Sequence, residues 1–273
     1  LSIVDDMLGM PIVAAEDKVV MYHLERTDNN KLAKYNSTKA PMSRGKIQSY
    51  DYAEDYANDY LFYFTQGNAE GTYAIYSYTT GLSVTYKNKV LYADKSSATT
   101  IDYAINLNAE HNGLEISADA GAWYMPEESS YFELSVEDTT TWRLVRMGTM
   151  YMTMEQTEVS IMKTKTATLS VETNSDKAVV WSSSNENIAK VNANTGEVTA
   201  LEEGTAIITA TINNGMLKAT CQVTVEPVGE GVSNNTAELN VQVRGGLILI
   251  SGLNNGAEVT IYDAAGNLIG SAN

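Results

Sequence analysis

The sequence predicts an all-β protein assembled from separate modules, and three observations carry that prediction. Short runs rich in Val, Ile, Thr and Tyr recur between Gly, Asn and Asp turns, helical periodicity is scarce, and only 4 prolines interrupt the pattern. The chain has 273 residues, more than one small core serves at roughly 100 to 200 residues per domain. All of the 17 tyrosines except Tyr262 lie at or before Tyr151, so the two halves differ in chemistry and a boundary is expected between residues 150 and 151.

Residues 1–17 read as an N-terminal extension. Leu1 to Met10 carries acids where a signal peptide would carry a positive segment, and the chain starts without Met. It therefore reads as a mature or excised piece of a longer product.

Residues 18–150 show internal repetition. Tyr22-His23-Leu24 aligns with Tyr73-Ala74-Ile75 and Leu114-Glu115-Ile116. A second run follows each, at Leu32 to Asn36, Leu82 to Tyr86 and Ala122 to Pro126. Phe62-Tyr63-Phe64, Tyr103-Ala104-Ile105 and Trp142-Arg143-Leu144 then close the units. Three β units of about 40 residues, none able to bury its apolar face alone, predict a β-trefoil-like domain, with a plain β-sandwich as the alternative. Thr140-Thr141-Trp142-Arg143-Leu144 resembles the Gln-x-Trp ending of the ricin-type trefoil lectins, with the Gln replaced and with Phe62 and Tyr103 standing where the other two units would have Trp.

That resemblance implies sugar binding in shallow pockets after the first strand of each unit. A pyranose offers an apolar C–H face to an aromatic ring and hydroxyls to Asp or Asn. By position, the first unit offers Asp28, Asn30 and Tyr35, the second Tyr78, Tyr86 and Asn88, and the third Asp119, Trp123 and Tyr124. The third is preferred, because Trp123-Tyr124 sits beside a turn rather than in an obvious core stripe; the competing reading has these aromatics cap the barrel.

The first unit is longer than the others, and the surplus is Ser49 to Tyr60. Its tyrosines at 52, 56 and 60 and its aspartates at 51, 55 and 59 step by four, which on a helix forms two adjoining stripes. A short inserted helix is expected. A calcium loop is not, since the carboxylates do not alternate about a Gly.

Residues 151–226 alternate clearly, with Ala206, Ile208 and Ala210 and then Ala219, Cys221, Val223 and Val225 on one face. Asn194-Thr195-Gly196 and Asn213-Asn214-Gly215 supply turns. Val180-Trp181-Ser182-Ser183-Ser184, Ile188-Ala189-Lys190-Val191, Gly196-Glu197-Val198-Thr199-Ala200 and Gly204-Thr205-Ala206 resemble, in order and spacing, the bacterial group 2 Ig-like (Big2) family. The resemblance implies a small β-sandwich with Trp181 and Cys221 in its core, in secreted or surface-displayed proteins, serving as a spacer and at times as an adhesive unit.

A linker is expected over 227–236 and a partial β module over 237–273, where strand-like pieces alternate with Gly-Gly, Asn-Asn-Gly and Ala-Gly-Asn turns. Val259 to Ile269 resembles the middle of the C-terminal sorting domain of type IX secretion, but that family continues beyond the point where this chain stops.

The chemistry of the whole narrows the function. A formal charge of -16, with no Lys or Arg between Lys46 and Lys87 or between Lys95 and Arg143, repels phosphates and excludes nucleic acid and anionic membrane surfaces as partners. No apolar run is long enough for a transmembrane segment, and the single cysteine, Cys221, cannot form an internal disulfide. His23 and His111 are the only histidines; His23 lies in an apolar strand, and neither has a partner motif. No nucleophile elbow, phosphate loop or zinc spacing occurs, and the adjacent pairs Glu127-Glu128 and Glu202-Glu203 point to opposite strand faces. No cofactor is implied. The expectation is a non-catalytic, secreted or cell-surface carbohydrate-binding protein whose partner is a polysaccharide or glycoprotein sugar. Its alternatives are an adhesive protein gripping a host or surface protein, and the accessory tail of a secreted hydrolase.

Overall fold

A computed structural model describes residues 9–37, 45–93, 100–227, 240–244, 247–251, 259–262 and 268–272. The protein is all-β, and its chain divides into two compact units, Leu1–Pro227 and Val228–Asn273.

The first unit begins with thirteen strands in three groups. The first group is β1 (Lys18–Arg26), β2 (Leu32–Tyr35), β3 (Ile47–Tyr50), a 3₁₀ helix (Glu54–Tyr60) and β4 (Phe62–Gln66). The second is β5 (Tyr73–Ser77), β6 (Leu82–Ser83), β7 (Thr85–Lys87), β8 (Val90–Tyr92) and β9 (Ala104–Asn108). The third is β10 (Gly113–Ala118), β11 (Gly121–Tyr124), β12 (Glu133–Ser135) and β13 (Thr141–Met154).

The first and last strands of the groups close on one another. β1 pairs with β4, β4 with β5, β9 with β10, and β10 and β1 both with β13, while the Tyr73–Tyr103 bridge links β5 to the start of β9. The hairpins β2–β3, β7–β8 and β11–β12 lie off this six-stranded ring. They are tied together by Glu133–Val90 and by the bridges Lys46–Tyr92 and Gln48–Tyr131. Each group gives two strands to the ring and a hairpin to its cap, the second group carrying the further strand β6, and the Tyr73–Tyr103 bridge closes the ring as a barrel. Its interior is filled from all three groups, by Tyr22, Leu24, Phe62, Phe64, Ile75, Tyr103, Ile105, Leu114, Ile116, Trp142 and Leu144. Burying side chains of this size contributes roughly 1.5–3 kcal/mol each.

The inserted segment departs from the expected regular helix. The backbone breaks at Tyr56 (φ −125°), so the two four-step stripes do not line up. Asp59 and Tyr60 turn inward, while Tyr52 and Tyr56 stay exposed.

β13 does not end at the barrel. Its first residues close the ring against β10, its middle pairs with β1, and its last three pair with β16 of the next domain. The boundary expected at 150 thus falls within one continuous strand. The sandwich that follows contains β14 (Glu158–Met162), β15 (Thr166–Thr168), β16 (Val171–Thr173), β17 (Val179–Ser183), β18 (Ala189–Val191), β19 (Glu197–Ala200), β20 (Gly204–Ile212) and β21 (Leu217–Glu226). One sheet runs β14-β21-β20-β17, with β14 parallel to β21, and the other β15-β19-β18. The expected alternation appears in Ala206, Ile208 and Ala210 and in Cys221, Val223 and Val225, all buried, with Ala219 half-buried at the margin. Trp181 and Cys221 lie in this core. Asn213, Asn214 and Gly215 take the left-handed backbone that their turn needs.

The core of the sandwich is continuous with the outside of the barrel. Along β1, Val20, Tyr22 and Leu24 face the ring, whereas Val19 and Met21 face the sandwich with Tyr63 and Tyr78. A strand covered on both faces has no polar side to show, which is why Val19-Val20-Met21-Tyr22 reads as an unbroken apolar run.

Within Val228–Asn273 the described strands form two hairpins, β22 (Asn240–Arg244) with β23 (Leu247–Ser251), and β24 (Val259–Tyr262) with β25 (Leu268–Ala272). The expected linker beyond residue 227, and the turns at 245–246, 254–256 and 263–267, lie outside the described residues.

Candidate functional site

The turn after the first strand of each unit is the expected binding position, and each of the three turns lines a shallow cleft. The clefts measure about 390, 390 and 360 Å³ for the first, second and third unit. Their contents differ.

The first cleft is lined by Arg26, Asn29 and Lys31 from the β1–β2 turn, Ser49 and Tyr50 from the end of β3, and Met125, Pro126, Glu127, Ser129 and Ser130 from the third unit. Asn30 takes a left-handed backbone (φ 59°), and the Arg26 amide closes the turn by donating to the Lys31 carbonyl at 2.8 Å. The Arg26 guanidinium is held by Asp28, at 3.0 Å from Nε to Oδ1, and reaches Ser49 Oγ at 3.4 Å. The Lys31 amide donates to Asn29 Oδ1 at 3.0 Å. Tyr50 is 44% exposed. The cleft thus combines an aromatic wall with fixed donors and acceptors.

The second cleft is flanked by the inserted helix, with Ser37, Thr79 and Lys177 opposite. Asp59, buried, accepts from Ser37 Oγ at 2.6 Å and Thr79 Oγ1 at 2.8 Å, and so pins the helix in place. The third cleft is acidic, with Glu115, Asp119, Glu137 and Asp138 around Ser117, Ser135 and Thr139. Among the described residues no group of three or more His, Cys, Asp or Glu side chains could hold a metal ion.

The nine residues expected from the sequence have separate fates. Trp123 is fully buried, its ring against Tyr103 at 5.6 Å, Trp142 at 5.8 Å and Phe132 at 6.4 Å. A sugar needs an open ring face, so Trp123 is a core residue and the preferred stacking platform is lost. Tyr35 is likewise buried in the barrel core. Tyr78 is buried in the joint with the sandwich: its hydroxyl donates to Asp176 and lies 3.4 Å from Ser175 Oγ, and its carbonyl accepts from Asn213 Nδ2 at 2.6 Å. Burial first, and the bond to Asp176 second, push the Tyr78 phenol up to about 12. Asn88, exposed, takes a left-handed backbone (φ 50°) in the β7–β8 turn, a conformational duty that Asn fulfils. Asn30 accepts from Arg143, which also pairs with Glu25.

Only Tyr86 and Asp119 are brought together, with the Tyr86 hydroxyl donating to Asp119 Oδ1 at 2.8 Å across the second and third units. This bond is the main cause of a raised Tyr86 pKa. Tyr124, half-buried, ends β11 and does not line the first cleft, whereas Asp28 orders that cleft through Arg26.

Sequence reasoning missed Tyr50, Ser49, Arg26, Asn29 and Lys31. The sequence places Tyr50 in the insertion, whereas it ends β3. His23 is buried between Tyr52 and Tyr60, with ring centroids 5.6 and 6.2 Å away, and desolvation lowers its pKa against the opposing effect of Glu25. It packs as a neutral core residue.

Comparison with known proteins places the second domain. An α-L-arabinofuranosidase of Bifidobacterium longum subsp. longum is 39% identical over 115 residues, which cover 40% of this chain and 11% of that protein. The chain thus spans about a tenth of that curated relative. Among solved structures, the Rhizoctonia solani agglutinin superposes with a TM-score of 0.37 at 13% identity, over 50% of this chain and 100% of that one. The C-terminal fragment of intimin, in complex with the intimin-binding domain of its translocated receptor, superposes at 0.26 and 15% identity, over 78% and 53%. Residues 150–223 match the family of bacterial Ig-like domains, group 2, and the sandwich is a domain of that kind.

Proposed function

We propose that the protein is a non-catalytic, secreted or cell-surface carbohydrate-binding protein, with its trefoil-like domain as the recognition module and the Ig-like domain as its mount. The first cleft carries this reading. There an exposed tyrosine ring stands beside Arg26, Asn29, Lys31, Ser49, Ser129 and Ser130, the pairing of an apolar plane with hydrogen-bonding groups that a sugar ring requires. Asp28 and Asn30 support it from the same turn. The Tyr86–Asp119 pair marks a second, weaker position. The Ig-like domain supports an extracellular address, and no helix among the described residues is long and apolar enough to cross a membrane.

A second reading, the accessory region of a secreted glycoside hydrolase, is favoured by the similarity to part of an arabinofuranosidase. It makes arabinose-containing glycans the first probes for the same cleft. Binding of the full chain to a glycan array tests both readings. Substitution of Tyr50 by Ala is expected to weaken binding about tenfold, the loss of one stacking contact of roughly 1.4 kcal/mol. Absence of binding to every glycan by a folded chain rejects the lectin reading.

A further inference from the structure

The insertion in the first unit has a use beyond filling space. Tyr50, Tyr52 and Tyr56 are 44%, 51% and 49% exposed, whereas the other tyrosines among the residues of described burial are half-buried or buried. Large aromatics grouped on a surface mark an interaction site more often than isolated ones do. These three share a support. Lys34 Nζ lies 3.9 Å from the Tyr56 centroid, 5.5 Å from that of Tyr50 and 5.4 Å from that of the buried Tyr60. Tyr52 rests on Tyr60 at 5.4 Å and on His23 at 5.6 Å. Tyr60 donates its hydroxyl to the Asp51 carbonyl at 2.7 Å, and the neighbouring Asp59 is anchored by Ser37 and Thr79. The rings are therefore held in place before any partner arrives, which lowers the entropy cost of using them.

The chemistry of the patch limits what it can take. A cationic ligand would seek the ring faces, but the patch already has its own cation in Lys34. An anionic polymer meets exposed Asp51, Glu54 and Asp55. Carboxylates beside open rings suit a neutral polyhydroxylated chain, whose hydroxyls donate to the acids while its C–H faces lie on the tyrosines. Tyr50 belongs both to this patch and to the first cleft, so the two surfaces are continuous.

We infer that Tyr56 and Tyr52 extend the first cleft into a row of subsites, so that the protein binds a stretch of neutral polysaccharide rather than a single terminal sugar. This rests on the carbohydrate reading of that cleft, and it assigns Tyr52, Tyr56 and Lys34 a role in ligand length.

The test is calorimetric titration of the full chain with arabino-, xylo- and galacto-oligosaccharides, from monosaccharide to octasaccharide. Affinity in the bound series should rise at least about tenfold with length, as further rings are engaged at roughly 0.5–1.5 kcal/mol each. Y52A and Y56A should each remove a part of that rise and the double variant most of it, while Y56F, which keeps the ring, should leave it unchanged. Thermal melts of the variants separate lost binding from lost folding. Equal affinity for short and long members, or an undiminished rise in the folded double variant Y52A/Y56A, overturns the extended row and leaves the single-cleft reading standing. Absence of binding to every series overturns both.

Discussion

The first and second units of the barrel present the same turn in the same place, and put it to opposite uses. After β1 the turn stays open, with Tyr50 and a set of hydrogen-bonding groups facing solvent. After β5 the chain enters Tyr78, Thr79, Thr80 and Gly81, and this stretch is bound to the Ig-like domain. Asn213 donates to the Tyr78 carbonyl, Asn214 Nδ2 to the Thr80 carbonyl at 2.7 Å, and Asn58 Nδ2 reaches Asp176 at 3.2 Å. The side chains at the two turns decide whether each becomes a pocket or a joint. The third unit follows a third course, with carboxylates around its cleft and an aromatic pair turned into the core.

Substitutions at these places have graded expected effects. The largest expected effect is at Trp123, where replacement by Ala empties the centre of the barrel and should cost about 3–5 kcal/mol. Denaturant unfolding measures it; a loss below about 1 kcal/mol would put the ring back at the surface. Next comes Gly81, at φ 65°, where an added Cβ would meet the Asn213 carbonyl oxygen at 2.3 Å. Gly81→Val should destabilise by about 2–3 kcal/mol through backbone strain and a clash with the neighbouring domain. A melt as high as that of the unsubstituted chain would show that the joint is loose. Neither variant lines the first cleft, so glycan binding by the folded fraction tests whether the joint and the pocket are independent.

The smallest effect is expected at Asp176, which is exposed, so that solvent screens its charge. Asp176→Ala removes the acceptor of a buried hydroxyl and should cost about 1 kcal/mol. The hydrogen bond from Tyr78 is the first cause of a lowered Asp176 pKa. The stability it contributes is present above the ordinary value of 3.8 and is lost as pH falls through the depressed folded value. At the alkaline end, Tyr78 is raised from 10.0, so its contribution is present below pH 10 and is lost as pH rises towards about 12. Thermal melts of the chain and of the D176A variant should converge as pH falls through the depressed folded value of Asp176; a constant gap would remove the carboxylate from the account.

What the sequence revealed follows the strength of its patterns. The Ig-like domain shows period-two alternation over the long strands β20 and β21, and Trp181 and Cys221 are in its core as expected. Of the recurring residues, Tyr22, Tyr73 and Leu114 fall in β1, β5 and β10, Phe62 and Trp142 in β4 and β13, and Tyr103 in the bridge just before β9. The side chains of the candidate site were harder to place. Trp123 sits in a strand of four residues, too short for alternation to say which face is inside. Tyr78 is buried by a neighbouring domain, which no local pattern reports, although the apolar run of β1 carried that information. Tyr50 and Lys34 are separated in sequence and meet only because β2 and β3 pair, with Lys34 opposite Gln48 and Leu32 opposite Tyr50.

The continuous strand β13 also sets how tension would travel through the molecule. Its exit towards the Ig-like domain lies beside Lys18, and the first cleft lies beside Arg26, at the opposite end of the β1–β13 ladder. A ligand pulling at the cleft against an anchor beyond the sandwich would load that ladder lengthwise. Its hydrogen bonds would then bear the force together instead of peeling apart one by one.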